Sequence, residues 1–80
     1  MLVKIMDEGY ILSNKFRRTI FDGLASGETD IEIIAKKHRI IRTVAKRIAE
    51  DFINGGLLEK KGNKYVLTIE GEKLAANIRG

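Results

Sequence analysis

Residues 30–54 constrain the fold more than any other part of this chain, because their apolar pattern predicts two helices joined by a tight turn. The first helix begins at Thr29 or Asp30, either of which can cap it. Its apolar face consists of Ile31, Ile34 and Ala35. The pattern breaks at His38, and no glycine follows, so ordinary residues around Arg39 must form the turn.

The second helix has two chemically different faces. It covers residues 41–54 and ends at the glycine pair 55–56, which is a strong stop signal. At about 100° per residue, one arc of roughly 100° collects its apolar side chains. These side chains are Ile41, Val44, Ala45, Ile48 and Phe52. The opposite side carries Arg42, Thr43, Lys46, Arg47 and Glu50. We expect the first face to lie in the core and the second in solvent.

The N-terminal part of the chain predicts two further helices. The apolar segment 1–12 predicts a short helix that ends near Gly9, although its first residues could equally pair as a strand. Ser13 is the expected cap of the next helix, whose apolar residues recur every four positions up to a stop at residues 26–27. Gly23 within this helix indicates close packing of another backbone segment.

The C-terminal part of the chain predicts a β-hairpin followed by a helix. Residues 57–60 and 64–69 have the pattern of two strands, and the glycine and asparagine between them favour a tight turn. Thr68 is the expected cap of a helix over residues 69–78. The apolar side of that helix consists of Leu74, Ala75 and Ile78. The fold class is therefore mainly α with a small β-hairpin.

The positive charge of the chain is confined to its middle. Eighty residues make one domain, residues 1–80, with a small core and a net charge of +4. Residues 1–35 carry four cations against six anions, residues 36–64 nine against three, and residues 65–80 two against two. This distribution favours a surface that faces a polyanion, although an outer helix face with charges is also ordinary for a solvated helix.

Several functional classes are not expected. The chain has no cysteine, so it has no disulfide framework and no thiolate site, which fits a cytoplasmic location. No secretion signal is evident, and no apolar stretch approaches the roughly 20 residues that span a bilayer. A single histidine, His38, argues against a metal site, and adjacent acids such as Asp7 and Glu8 read as solvated side chains. We expect no enzyme activity, no cofactor, no small-molecule substrate and no membrane partner.

Three segments resemble known families of DNA-binding regulators. Residues 12–20, LSNKFRRTI, with Leu24 are similar to the first helix of arsenic-repressor-like and related archaeal regulators. Residues 34–38, IAKKH, followed by Ile40 and Val44, resemble a helix-turn-helix core. Residues 65–71, YVLTIEG, with Leu74 are similar to the segment that closes the wing in multidrug-resistance-repressor-like and PadR-like proteins. The resemblance implies a winged helix-turn-helix fold with a three-helix core, a β-wing, and N- and C-terminal helices.

The sequence departs from these families at two positions, Arg39 where many members have glycine and Ile41 where a serine or threonine cap is usual. The resemblance implies a sequence-specific transcriptional regulator of double-stranded DNA, with recognition helix 41–54 in the major groove and basic wing 59–65 on the backbone. Base edges or groove-wall phosphates would be contacted by Arg42, Thr43, Lys46 and Arg47. Backbone phosphates would be contacted by Lys36, Lys37, Arg39, Lys60, Lys61, Asn63 and Lys64.

Two alternative functions remain open at this point. Winged-helix folds also serve as protein-interaction modules, in which apolar or aromatic anchors would be expected on the exposed helix face. Non-specific coating of nucleic acid differs from specific binding only in the ratio of the two affinities. In the leading hypothesis the protein is a homodimer, joined mainly through residues 1–12 with help from residues 74–78, because one small domain makes few phosphate contacts. The alternative is that both chain ends cap their own domain.

Three further side chains have competing interpretations. Arg17 lies near the apolar arc of its helix, which favours a structural arginine over a phosphate contact. Tyr65 is expected to pack against the core rather than to stack on a base. Ile53 lies outside the apolar arc of its helix and belongs either to the edge of a wider core or to a partner surface.

Overall fold

The computed structural model describes residues 6–79, which form five helices and one antiparallel hairpin. In chain order these elements are α1 (Glu8–Leu12), α2 (Lys15–Ala25), α3 (Ile31–Lys37), α4 (Arg42–Asn54), β1 (Leu58–Lys61), β2 (Lys64–Leu67) and α5 (Ile69–Arg79). The predicted class, mainly α with a small β-hairpin, is confirmed. The expectations for Leu2, Val3 and Ile5 lie outside the described residues.

The start of the described chain corrects two predictions. Gly9 does not end a helix but lies inside α1, whose cap is the Asp7 carboxylate, accepting from the Tyr10 amide at 3.0 Å. Ser13 does not cap α2, because its backbone is helical and it closes α1. Asn14 has the extended backbone that a cap requires, and its side chain accepts from two amides of the first turn of α2. Both Ser13 and Asn14 are good cap residues, and the backbone geometry decides between them.

The junction between α2 and α3 largely follows the sequence. The helix stop is confirmed at residues 26–27, where Gly27 has φ of 107°. Asp30 caps α3 by accepting from the Glu32 amide at 2.8 Å. The sequence predicted that a backbone segment packs against Gly23, and this is wrong. A Cβ added at Gly23 would instead lie 2.8 Å from the Ile34 side chain.

The turn between α3 and α4 is built without glycine, as predicted. Arg39 adopts φ of 55°, in the left-handed region. The Arg39 amide donates to the Lys36 carbonyl at 3.4 Å, and the Ile40 amide donates to the Ala35 carbonyl at 2.8 Å. These two bonds form the Schellman closure of a helix end, and the buried Ile40 supplies the apolar contact that accompanies it.

The core face of α4 differs in part from the prediction. Its buried residues are Ala45, Ile48, Ala49 and Phe52, whereas Ile41 is 69% and Val44 36% exposed. Ile41 precedes the first helical turn with an extended ψ of 129°, so its side chain does not follow the helical periodicity. Val44 lies at one edge of the predicted apolar arc of α4. The small Ala49 lies beyond the opposite edge and is buried.

The core is centred on two phenylalanines. Phe21 of α2 and Phe52 of α4 meet edge to face with ring centroids 5.8 Å apart. Tyr10 adds a second edge contact to Phe52 at 6.5 Å, and its neighbour Ile11 is fully buried. The part of segment 1–12 that the structure describes therefore packs against its own domain. Ile53 is half-buried against this core, which identifies it as the edge of a wider core.

The hairpin has a two-residue turn. Leu58 pairs with Leu67 and Lys61 with Lys64, so the first strand lies one residue later than predicted. The turn is Gly62-Asn63, with φ of 62° at Gly62. One hydrogen bond joins β2 to the residue before the α3 cap: the Tyr65 amide donates to the Thr29 carbonyl at 2.8 Å. This bond holds the hairpin against the start of α3.

The second strand ends earlier than predicted because Thr68 caps α5, as expected. Its hydroxyl oxygen accepts from the Gly71 amide at 3.1 Å and donates to the Gly56 carbonyl at 2.6 Å. On the predicted apolar side of α5, Leu74 is buried, and Ala75 and Ile78 pack partly against the core. None of the helices within residues 6–79 has the length and apolar character needed to cross a membrane.

Candidate nucleic-acid interface

The outer face of α4 presents the polar side chains that the sequence assigned to it. Arg42, Thr43, Lys46 and Arg47 are all exposed. The helix behind them is fixed, because α4 packs against α2, α3 and β1 through its buried face. This packing holds the three cations Arg42, Lys46 and Arg47 in fixed positions on the outer face of α4.

The hairpin brings a second group of cations beside α4. Lys46 of α4 lines the same depression as Lys60 and Asn63 of the hairpin, with Tyr65 as part of its wall. This depression has a volume of about 380 Å³. The structure thus joins two groups that are 14 or more residues apart in sequence into one surface. At the hairpin tip, Lys61 and Lys64 are paired across the strands and both are exposed.

Two anions also lie at this surface, and the sequence reasoning missed them. Asp30 and Glu32, from the start of α3, line the same depression. The Glu32 carboxylate forms an ion pair with the Arg42 guanidinium at 2.5 Å, with both side chains at least half exposed. Such an exposed pair contributes little to stability. No spacing signal could have found it, because the nine residues between Glu32 and Arg42 include a turn whose geometry sets the contact.

The three predicted cations near the end of α3 divide between two sides. Lys36 follows Glu32 by one helical turn, so it lies on the side of α3 that meets Arg42. Lys37 lines a separate depression of about 410 Å³ together with His38, Asp22 and Arg79. These two lysines do not share one surface. Arg39 is exposed at the left-handed position of the turn between α3 and α4.

The start of α4 differs from that of the other described helices. Side chains of Asp7, Asn14, Asp30 and Thr68 cap α1, α2, α3 and α5. No side chain caps α4, whose cap position is occupied by Ile41. The amide groups of its first turn therefore donate to no capping side chain within the described residues, and a helix start of this kind favours negative charge.

Arg17 is a structural side chain, in agreement with the interpretation favoured from sequence. Its Nη1 donates to the Tyr10 carbonyl at 3.0 Å and to the Ser13 hydroxyl at 3.3 Å. The guanidinium also lies 4.0 Å from the centroid of the Tyr10 ring. Arg17 therefore joins α1 to α2. Tyr65 is half-buried against the core, as expected for a packing role.

Metal ligands do not converge in the part of the chain that the structure describes. No group of three or more His, Cys, Asp or Glu side chains within residues 6–79 could hold a metal ion. Comparisons with protein-family models, with curated proteins and with solved structures give no match. The exposed cations of α4 and the hairpin are therefore the features from which a function can be inferred.

Proposed function

We propose that this chain is a winged helix-turn-helix protein that binds double-stranded DNA and regulates transcription. In this proposal α3 and α4 form the helix-turn-helix, and the β1–β2 hairpin is the wing. One observation carries the proposal: Lys46 of α4 lines a single depression with Lys60 and Asn63 of the hairpin. The cationic helix face and the basic hairpin therefore form one continuous surface rather than two separate solvated patches.

The dimensions and charge of this surface suit duplex DNA. A major groove about 12 Å wide admits one α-helix, and α4 is long enough to lie in it. Thr43 and Arg47 would then face base edges, Lys46 would reach a phosphate of the groove wall beside the hairpin, and the hairpin lysines would reach backbone phosphates. The uncapped start of α4 supports the proposal further, because its first-turn amides can donate hydrogen bonds to a phosphate oxygen.

Salt-dependent binding tests the proposal. If about five cations reach phosphates, the logarithm of the association constant should fall against the logarithm of salt concentration with a slope near −4 to −5. Fluorescence anisotropy with a labelled random duplex measures this slope. Lys46→Gln should reduce the magnitude of this slope by about one. Lys73→Gln on α5 is the matched control, since it removes an exposed helical lysine that pairs with Glu70 at 3.5 Å. A flat response to salt would refute DNA binding.

A second candidate function has one observation in its favour. Ile41 and Val44 are exposed on α4, and apolar anchors on this helix are what a protein-interaction module would present. The surrounding cations, Arg42, Lys46 and Arg47, favour the polyanion. Capture of a protein partner without any affinity for DNA would establish this second function instead.

We also propose that the protein acts as a homodimer whose contact includes the N-terminal segment, residues 1–12. Leu12 and Phe16 support this, because they are 46% and 41% exposed and lie four residues apart across the α1–α2 junction. A dimer related by a two-fold axis would present two copies of α4 to two half-sites.

A further inference from the structure

Two apolar side chains at the start of α4 are exposed. Ile41 is 69% exposed and Val44 is 36% exposed, although both are β-branched hydrophobic residues. Ile41 also occupies the cap position of α4, where it makes no side-chain hydrogen bond. Serine, threonine, aspartate or asparagine there would satisfy an amide of the first turn. The chain thus carries an exposed apolar group where a polar one would stabilise the helix.

Both side chains lie at the N-terminal end of α4. Ile41 immediately precedes the helix, and Val44 belongs to its first turn. Arg47 follows Val44 by three residues and adjoins the same side. At about 100° per residue, Lys46 lies about 160° around the helix from Val44, on the side that meets the hairpin. The start of α4 therefore has an apolar edge and a cationic edge.

The chemistry of the major groove offers one partner for an apolar edge. Among the base edges exposed there, only thymine presents an apolar group, its C5-methyl. The cations of the same helix, Arg42, Lys46 and Arg47, favour a polyanionic partner over an apolar protein surface. We propose that Ile41 and Val44 contact thymine methyl groups and thereby make the protein prefer thymine at specific positions of its site. This inference rests on the proposed DNA-binding function.

Replacement of thymine by deoxyuridine tests the inference, because the two bases differ only in the methyl group. Preferred duplex sites are first selected from a random library with the intact protein, and each thymine of a selected site is then replaced singly. One or two of these replacements should weaken binding by about four-fold, the effect of burying one methyl group. Replacements at the other thymines should leave the affinity unchanged.

Substitutions assign the effect to the two residues. Ile41→Ser should abolish discrimination between thymine and deoxyuridine at one position while raising the midpoint of thermal unfolding, because serine restores a cap. Val44→Ser should abolish discrimination between thymine and deoxyuridine at a neighbouring position. Val44 is not the cap residue of α4, so this substitution leaves the cap unchanged. Ile69→Ser is the matched control, since Ile69 is 72% exposed at the start of α5, and it should keep the discrimination.

Each result bears on either the inference or the function. Equal affinity for thymine and deoxyuridine sites, with salt-dependent binding retained, would overturn the methyl contact and leave the DNA-binding function standing. Discrimination that persists in both Ile41→Ser and Val44→Ser would overturn the assignment to these residues. Absence of DNA binding by the unsubstituted protein would refute the function and the inference together, and would leave a protein as the partner of this edge.

Discussion

Gly71 is required by a close approach between two backbone segments. It is buried in the first turn of α5, and a Cβ at this position would lie 2.2 Å from the carbonyl oxygen of Leu57. That carbonyl already accepts from the Thr68 amide at 3.0 Å, so it cannot move without losing the bond. The glycine in the segment that resembles a wing closure thus has a steric reason in this fold.

Gly71→Ala should therefore lower the free energy of unfolding. Alanine favours a helix by about 1 kcal/mol relative to glycine. The overlap with the Leu57 carbonyl outweighs this gain, and we expect a net loss of about 1–3 kcal/mol. Urea unfolding followed by circular dichroism measures the change. Gly9→Ala in α1 is the control, because within residues 6–79 its Cβ would meet only the Asp7 carboxylate, at an ordinary contact distance of 3.4 Å. Equal effects of the two substitutions would contradict the steric explanation.

Arg39 combines an unfavourable backbone with an exposed charge. Its φ of 55° costs about 1 kcal/mol for a residue with a Cβ, and glycine would avoid this cost. Arg39→Gly should raise the free energy of unfolding by up to about 1 kcal/mol and weaken DNA binding, because one phosphate contact is lost. Arg39→Lys keeps both the charge and the backbone strain, so both measurements should stay close to those of the unsubstituted protein. Stronger or unchanged DNA binding by Arg39→Gly would exclude Arg39 from the interface.

The helix α4 and the hairpin should contribute differently to recognition. Arg47→Ala should cost about 1–3 kcal/mol and relax the preference at particular base pairs, because an arginine at base edges reads sequence. Lys61→Ala should weaken binding to all sequences alike and lower the salt slope by about one, because a phosphate contact carries no sequence information. Binding to a library of single-base variants measures both effects. If Lys61→Ala changed the base preference and Arg47→Ala did not, the hairpin rather than α4 would contact the base edges. Arg42 is less suitable here because of its ion pair with Glu32.

Apolar periodicity and stop signals predicted most of the elements. The stop at Gly55-Gly56, the hairpin around Gly62 and the Thr68 cap are confirmed because each depends on local backbone chemistry. Periodicity failed at Val44 and Ala49, since an angular pattern does not show which edge of an arc meets a neighbouring helix. It failed at Ile41 because the residue lies outside the helix.

The cations and Asn63 of the candidate site were predictable from the sequence, but their arrangement was not. Charge patterning placed Lys46 and Lys60 on exposed positions, and each position follows from the element that carries it. Their shared depression, the acids at its wall and the second depression lined by Lys37 depend on how the elements pack. Contacts of this kind arise from tertiary structure, which residue spacing along a single element does not contain.

The packing of the chain ends changes how assembly should be tested. Ile11 is fully buried and Tyr10 contacts Phe52, so removal of residues 1–12 would damage the core of the monomer. Met6 packs against Gly55, where an added Cβ would overlap its side chain. Loss of a dimer after such a truncation would not identify an interface. Exposed apolar residues at the same end, Leu12 and Phe16, offer a test that leaves the core intact.

Sedimentation equilibrium at tens of micromolar should show a dimer, and the double substitution Leu12→Glu, Phe16→Glu should convert it to a monomer. A two-fold interface brings the same patch from both subunits together, so each added carboxylate also approaches its counterpart in the other copy. Ile33→Glu is the control, because Ile33 is 51% exposed on α3 beside a different depression. A monomer before any substitution would refute the dimer. A dimer that survives the double substitution would move the contact to other apolar groups of the predicted interface, such as the half-buried Ala75 and Ile78 of α5.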